Sequence, residues 1–240
     1  MKRSTSLLLA AALTATGMSG HAGPLFSNGS AIGANGRSVL APGAVTQGFG
    51  MQASSDNAVA DDFTIAAGES WDITSIDFFA YQASAKAFTL QNVFWSIVAG
   101  DVNGGAVVAS GTTALTNGGL LGYRVAANAL SNTTRPIYLA HADVADFSLD
   151  AGHYWLRWSM SGSLASGPWQ VPTADGRAGN SMQSGAGGPF VPLIDAGSRT
   201  NVELPFALNG ASNLVPEPSG ALLALGAGLA ALLAVRRRRA

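Results

Sequence analysis

From residue 59 to residue 208 the chain breaks into short runs of β-branched and aromatic residues bounded by turn formers, and no window holds a helical period. The runs are 59–65, 71–81, 88–99, 106–112, 120–126, 135–140, 153–160 and 202–208. Such spacing predicts an all-β fold, a single antiparallel β-sandwich of jelly-roll-like form. Two runs indicate which faces are buried. In 153–160, Tyr154, Leu156, Trp158 and Met160 share one face while His153, Trp155, Arg157 and Ser159 share the other, as in a half-buried strand. In 88–99, Val93, Trp95 and Ile97 alternate with Phe94 and Val98, so both faces are apolar and the strand is expected inside a sheet. Residues 24–55, rich in Gly, Ala, Ser and Asn, read as an irregular lead-in with one strand near 45–49.

Charge and cysteine usage exclude several functions. The chain has no cysteine, which removes disulfides, thiolate metal sites and a cysteine nucleophile. Six of the 13 basic residues lie at the two ends, leaving seven against 13 acidic residues between 23 and 214. An acidic body without a basic stripe argues against nucleic acid as a partner.

The ends carry the most specific signals. Lys2 and Arg3 precede an apolar run over 7–15 and a small-residue stretch ending at Ala22, the three-part layout of a secretory signal with cleavage expected between Ala22 and Gly23. At the other end, Pro216, Glu217 and Pro218 precede 15 residues, 221–235, of only Ala, Leu, Gly and Val, and then Arg236, Arg237, Arg238 and Arg239. As a helix that run spans about 22 Å, short of a hydrocarbon core of about 30 Å. Starting the helix near Ser219 and letting the arginine stems snorkel closes much of the gap. The arginine cluster stays cytoplasmic by the positive-inside rule, which places the body on the far side of the membrane. Pro216 and Pro218 hold Val215 and Glu217 away from helical geometry, leaving an extended segment at the membrane surface.

Pro-Glu-Pro, an apolar helix and a terminal arginine cluster, in that order, resemble the PEP-CTERM sorting signal of Gram-negative bacteria. The resemblance implies an exosortase as processing partner, export alongside exopolysaccharide, and an inner-membrane intermediate that ends at the cell surface or in the extracellular matrix. Ala60-Asp61-Asp62-Phe63 and the stretches 71–82, 149–156 and 166–169 look like recurring segments of one subgroup of PEP-CTERM ectodomains. That subgroup implies a β-sandwich with no assigned activity, so no catalytic residue is carried over. The expected organisation is a signal peptide (1–22), lead-in (23–55), sandwich (56–210), linker (211–219), transmembrane helix (220–235) and basic tail (236–240).

Within the body, candidate sites compete with structural readings. Asp61 and Asp62, with Asp56 nearby, offer oxygens for calcium or serve a strand start and a turn. Asp101-Val102-Asn103-Gly104-Gly105 is similar to the start of an EF-hand loop but lacks the later ligands, and reads as a hairpin turn. His141 and His153 stand in no zinc spacing, and no G-x-S-x-G elbow accompanies them. Trp155 and Trp169 offer a platform for stacking sugars, or ordinary core packing. We therefore expect no cofactor, no metal and no catalysis. A non-enzymatic surface or matrix component of a biofilm is the leading reading, with a carbohydrate-binding module second and a secreted hydrolase third.

Overall fold

The structure, a computed structural model, describes residues 24–214. The cleavage site Ala22–Gly23, the Pro216-Glu217-Pro218 motif, the helix at 220–235 and Arg236 to Arg239 lie outside the described residues. Among the described residues twelve strands join one hydrogen-bonded network, antiparallel except for the pairing of β2 with β7. In chain order they are β1 (Phe26–Ser27), β2 (Arg37–Val39), β3 (Phe49–Gly50), β4 (Ala58–Tyr81), β5 (Leu90–Ala99), β6 (Ala106–Ala114), β7 (Thr116–Val125), β8 (Pro136–Gly162), β9 (Trp169–Gln170), β10 (Met182–Ser184), β11 (Val191–Pro192) and β12 (Phe206–Leu214). Among the described residues there is no α-helix, only a 3₁₀ turn at Ala53–Ser55.

Two strands organise the rest. The expected runs 59–65 and 71–81 are one 24-residue strand, β4, and the runs 135–140 and 153–160 are the ends of one 27-residue strand, β8. The sequence pattern breaks where the ladder is irregular. Residues 66–69 of β4 stand against Ala151 alone, between the pairs Ile65–Gly152 and Ser70–Asp150, and residues 144–146 of β8 stand against Thr74. Bulges of this kind bend a strand without ending it. Each half of the pair then takes different neighbours. The first half of β4 pairs with β10, and the matching half of β8 pairs with β5, which pairs with β6. The second half of β4 pairs with β12, and the matching half of β8 pairs with β7.

Side chains from both halves meet in one apolar cluster that includes Phe63, Phe78, Trp158, Leu156, Phe206 and Leu208. The Phe78 and Trp158 rings, one from each half, are 5.6 Å apart at their centroids, and Phe206 is 5.9 Å from Trp158. Each such buried side chain contributes roughly 1.5–3 kcal/mol over its exposed state. Trp158 keeps its polar end satisfied by donating Nε1–H to Oε1 of Gln170 at 3.2 Å.

The expected boundaries shift at both ends of the domain. The lead-in is tied into the network: β1 pairs with β12, β2 with β7 and β3 with β9. β12 runs to Leu214, four residues past the expected edge at 210, because Gly210 (φ +151°) lets the chain cross a bulge and pairing resume as far as Leu214–Glu69. A Cβ at Gly210 would collide with the carbonyl of Asp72.

Candidate binding groove

The side of the first half that faces away from the large cluster is apolar in one part and polar in the other. Trp155 there is 7% exposed and forms a small cluster with Ala60, Val98 and Val102, against which Met182 and Phe190 pack. Its ring is covered and is not an open platform. Trp169 belongs to a different cluster, with Tyr81 and Val171, and lines a recess of about 250 Å³ beside Arg135 and Gln47. The two tryptophans singled out by the sequence do not share one surface. Burial pushes the Tyr81 hydroxyl in that recess up to about 12.

Next to the covered part lies an open groove of about 460 Å³ across β8, β5 and β6. Strand register builds its floor in two rungs. Arg157 stands beside Ser96, and Ser96 beside Ser110; Ser159 stands beside Phe94, and Phe94 beside Thr112. Alternation sends these six side chains to one face and Trp95, Ile97, Trp158 and Met160 to the core. β5 does lie between two strands, as expected, but only Val98 on its second face is buried; Phe94 is 41% exposed.

Beneath the floor, Trp95 is fixed on three sides. Its Nε1–H donates to Thr113 Oγ1 at 3.0 Å, its ring stacks on Phe147 at 5.5 Å, and its indole crosses Gly111, where a Cβ would stand 3.0 Å from the ring. Glycine at 111 is what lets the indole lie against the neighbouring strand.

Phe190 closes one end of the groove, 5.7 Å from the Arg157 guanidinium, within cation–π range. It is positioned by the hairpin between β5 and β6. Asp101 Oδ1 accepts the amides of Asn103 (2.9 Å) and Gly104 (2.6 Å), which fixes the turn. Asn103 then donates Nδ2–H to the Phe190 carbonyl at 3.0 Å and accepts the Phe190 amide at 2.8 Å. The segment similar to an EF-hand start thus forms a turn that clamps a distant aromatic residue.

Arg157 is the unusual member of the groove. Among the described residues it hydrogen-bonds to no protein acceptor, no carboxylate lies within ion-pair distance, and its buried Nε has no partner. Burial lowers its pKa from the ordinary arginine value, a sign of partial loss of water around the charge. Among the described residues no acidic side chain lines the groove.

The remaining candidates are engaged elsewhere. Asp61 and Asp62 point to opposite sides of β4: Asp61 is buried and accepts the Leu204 and Asp62 amides, and Asp62 pairs with His153 Nε2 at 2.6 Å. Burial, aided by the charge of Glu203, pushes Asp61 up to about 8. His141 Nδ1 pairs with Asp77 at 2.7 Å. Among the described residues neither imidazole ring is hydrogen-bonded to a hydroxyl.

The sequence puts Arg157 and Ser159 on one face with Trp155 but gives no sign of Ser96, Ser110, Thr112 and Phe190 as their neighbours. Alternation alone places Ser96 and Ser159 outward; their meeting with Ser110 and Phe190 depends on strand pairing that only the fold supplies. Compared with family models, curated proteins and solved structures, the chain matches none.

Proposed function

We propose that the chain is an exported, non-catalytic component of the cell surface or extracellular matrix, associated with exopolysaccharide. We read its body as a single jelly-roll-like β-sandwich in which the two bulged halves of β4 and β8 form the two layers. The observation that carries the reading is the succession of features in the tail sequence: Pro216, Glu217 and Pro218, an apolar run, and Arg236 to Arg239. With a secretory signal at the other end, both termini put the body on the same side of the membrane. An exosortase is then the processing partner.

Intact-mass analysis of membrane and medium fractions tests this. We expect a species starting near Gly23 and ending near the Pro-Glu-Pro motif. Replacing Pro216, Glu217 and Pro218 with alanine should leave Arg236 to Arg239 attached. A full-length chain confined to the cytoplasm, or unaltered processing of the alanine variant, would overturn the proposal.

A second reading, a carbohydrate-binding module, is favoured by the groove, where aromatic faces, hydroxyls and a cation unpaired among the described residues line an open surface.

A further inference from the structure

We infer that the groove across β8, β5 and β6 binds an acidic saccharide, with Arg157 taking the carboxylate of a uronic acid residue and Phe94 and Phe190 bordering the sugar ring. The inference rests on the extracellular delivery proposed above and adds the site and the ligand class. Three features of the groove point the same way. Arg157 presents a planar donor set suited to a carboxylate, and no protein acceptor among the described residues occupies it. Ser96, Ser110, Thr112 and Ser159 lie in register, and each hydroxyl both donates and accepts, which suits a ligand dense in hydroxyls. Phe94 is exposed and Phe190 is held by two hydrogen bonds with Asn103, one donated and one accepted by its side chain, so apolar faces stand beside the polar ones.

Charge decides between an acidic and a neutral sugar. A neutral ligand would leave a partly desolvated guanidinium without an anion, whereas a uronate supplies one. The body as a whole is acidic, seven basic residues against 13 acidic, so long-range attraction does not draw in a polyanion. Recognition is local, within a Debye length of about 8 Å at physiological salt, in a groove that no carboxylate among the described residues lines.

Other cavities carry less. The pocket beside Arg124 has its charged groups hydrogen-bonded to the protein, and the recess at Trp169 has no register of hydroxyls.

The test is equilibrium binding of the full-length chain in detergent, in EDTA, to oligogalacturonate, to a neutral maltooligosaccharide of equal length and to poly-glutamate. Oligogalacturonate should bind at least about tenfold more tightly than either of the others, and Arg157→Ala should remove that preference. Ser96→Glu, which sets an internal carboxylate beside Arg157, should do the same, so the proposal does not depend on one variant folding. Equal binding of the neutral sugar, equal binding of poly-glutamate, no binding of oligogalacturonate, or unchanged preference in both variants would each overturn it. A chain displayed at the surface that fails to bind defeats the groove assignment alone; one that binds but is not exported defeats the delivery alone.

Discussion

Arg124 and Arg157 both lose water on folding and burial lowers both pKa values, that of Arg124 to about 10, yet their surroundings are opposite. Arg124, 2% exposed, donates to the carbonyls of Gln47 (3.1 Å), Thr46 (3.2 Å) and Val39 (3.3 Å) and to Ser38 Oγ (3.1 Å). Asp195 completes the clamp by accepting the Thr46 amide at 2.8 Å. Thr46 is therefore held at its amide and its carbonyl by two charges, and the lead-in becomes part of the domain. Arg157 organises nothing comparable. A cation whose donors go to three backbone carbonyls and a serine hydroxyl holds a loop in place, while one with open donors at a groove is left for a ligand.

The first way to break this contrast is Arg124→Met, with the largest expected effect. It strips three lead-in carbonyls of a charged donor and leaves Asp195 without its nearby cation, so we expect a loss of about 3–5 kcal/mol in urea unfolding. A loss below about 1 kcal/mol would show that the lead-in does not need the clamp.

The acidic groups sharpen the same point. Burial alone would raise Asp195, but the amides of Ser198, Thr46 and Gly197 outweigh it and hold the carboxyl below the ordinary range. Asp61 has fewer donors, and burial wins, to about 8. Because the folded state keeps a proton that the unfolded chain releases near pH 3.9, stability is full below about pH 4 and falls as pH rises to about 8, by up to about 1.4 kcal/mol per unit. Asp195 has the opposite sign and withdraws stability only as the medium becomes strongly acid. Unfolding midpoints at pH 5, 7 and 9 should decline for the natural protein and level off for Asp61→Asn. Parallel declines would place the titrating group elsewhere.

How much of this was legible in the sequence follows from what each element depends on. Tyr154, Leu156, Trp158 and Met160 announce their face because alternation is local and their burial is large. The span 141–152 of β8 is not legible, since His141, Asp143 and Asp150 face outward and the strand continues through them on backbone pairing to β4. Residues 211–214 escaped for the same reason: their pairing is backbone pairing, with one side-chain bond from Asn213 to Asp72. Alternation gives the face of Trp155, but its cover comes from Met182 and Phe190, a contact without a local signature.

A smaller effect should follow from Asn103→Ala. It removes two hydrogen bonds to Phe190, for a loss of roughly 1–2 kcal/mol. Oligogalacturonate binding should weaken several-fold as the aromatic end of the groove loosens. If binding were unchanged, Phe190 would be cover for Trp155 and nothing more.

The smallest expected change in stability is also the most discriminating. Arg157→Met replaces a guanidinium that has no acceptor among the described residues with an apolar chain able to lie against Phe190, so the fold should be unaffected or firmer by up to about 1 kcal/mol. The same substitution that disables Arg124 by several kcal/mol would then be neutral at Arg157, although both arginines are partly desolvated. Natural proteins keep groups that add no stability where activity requires them. A loss of 2 kcal/mol or more would instead make Arg157 a structural residue like Arg124 and remove the reason for assigning it a ligand.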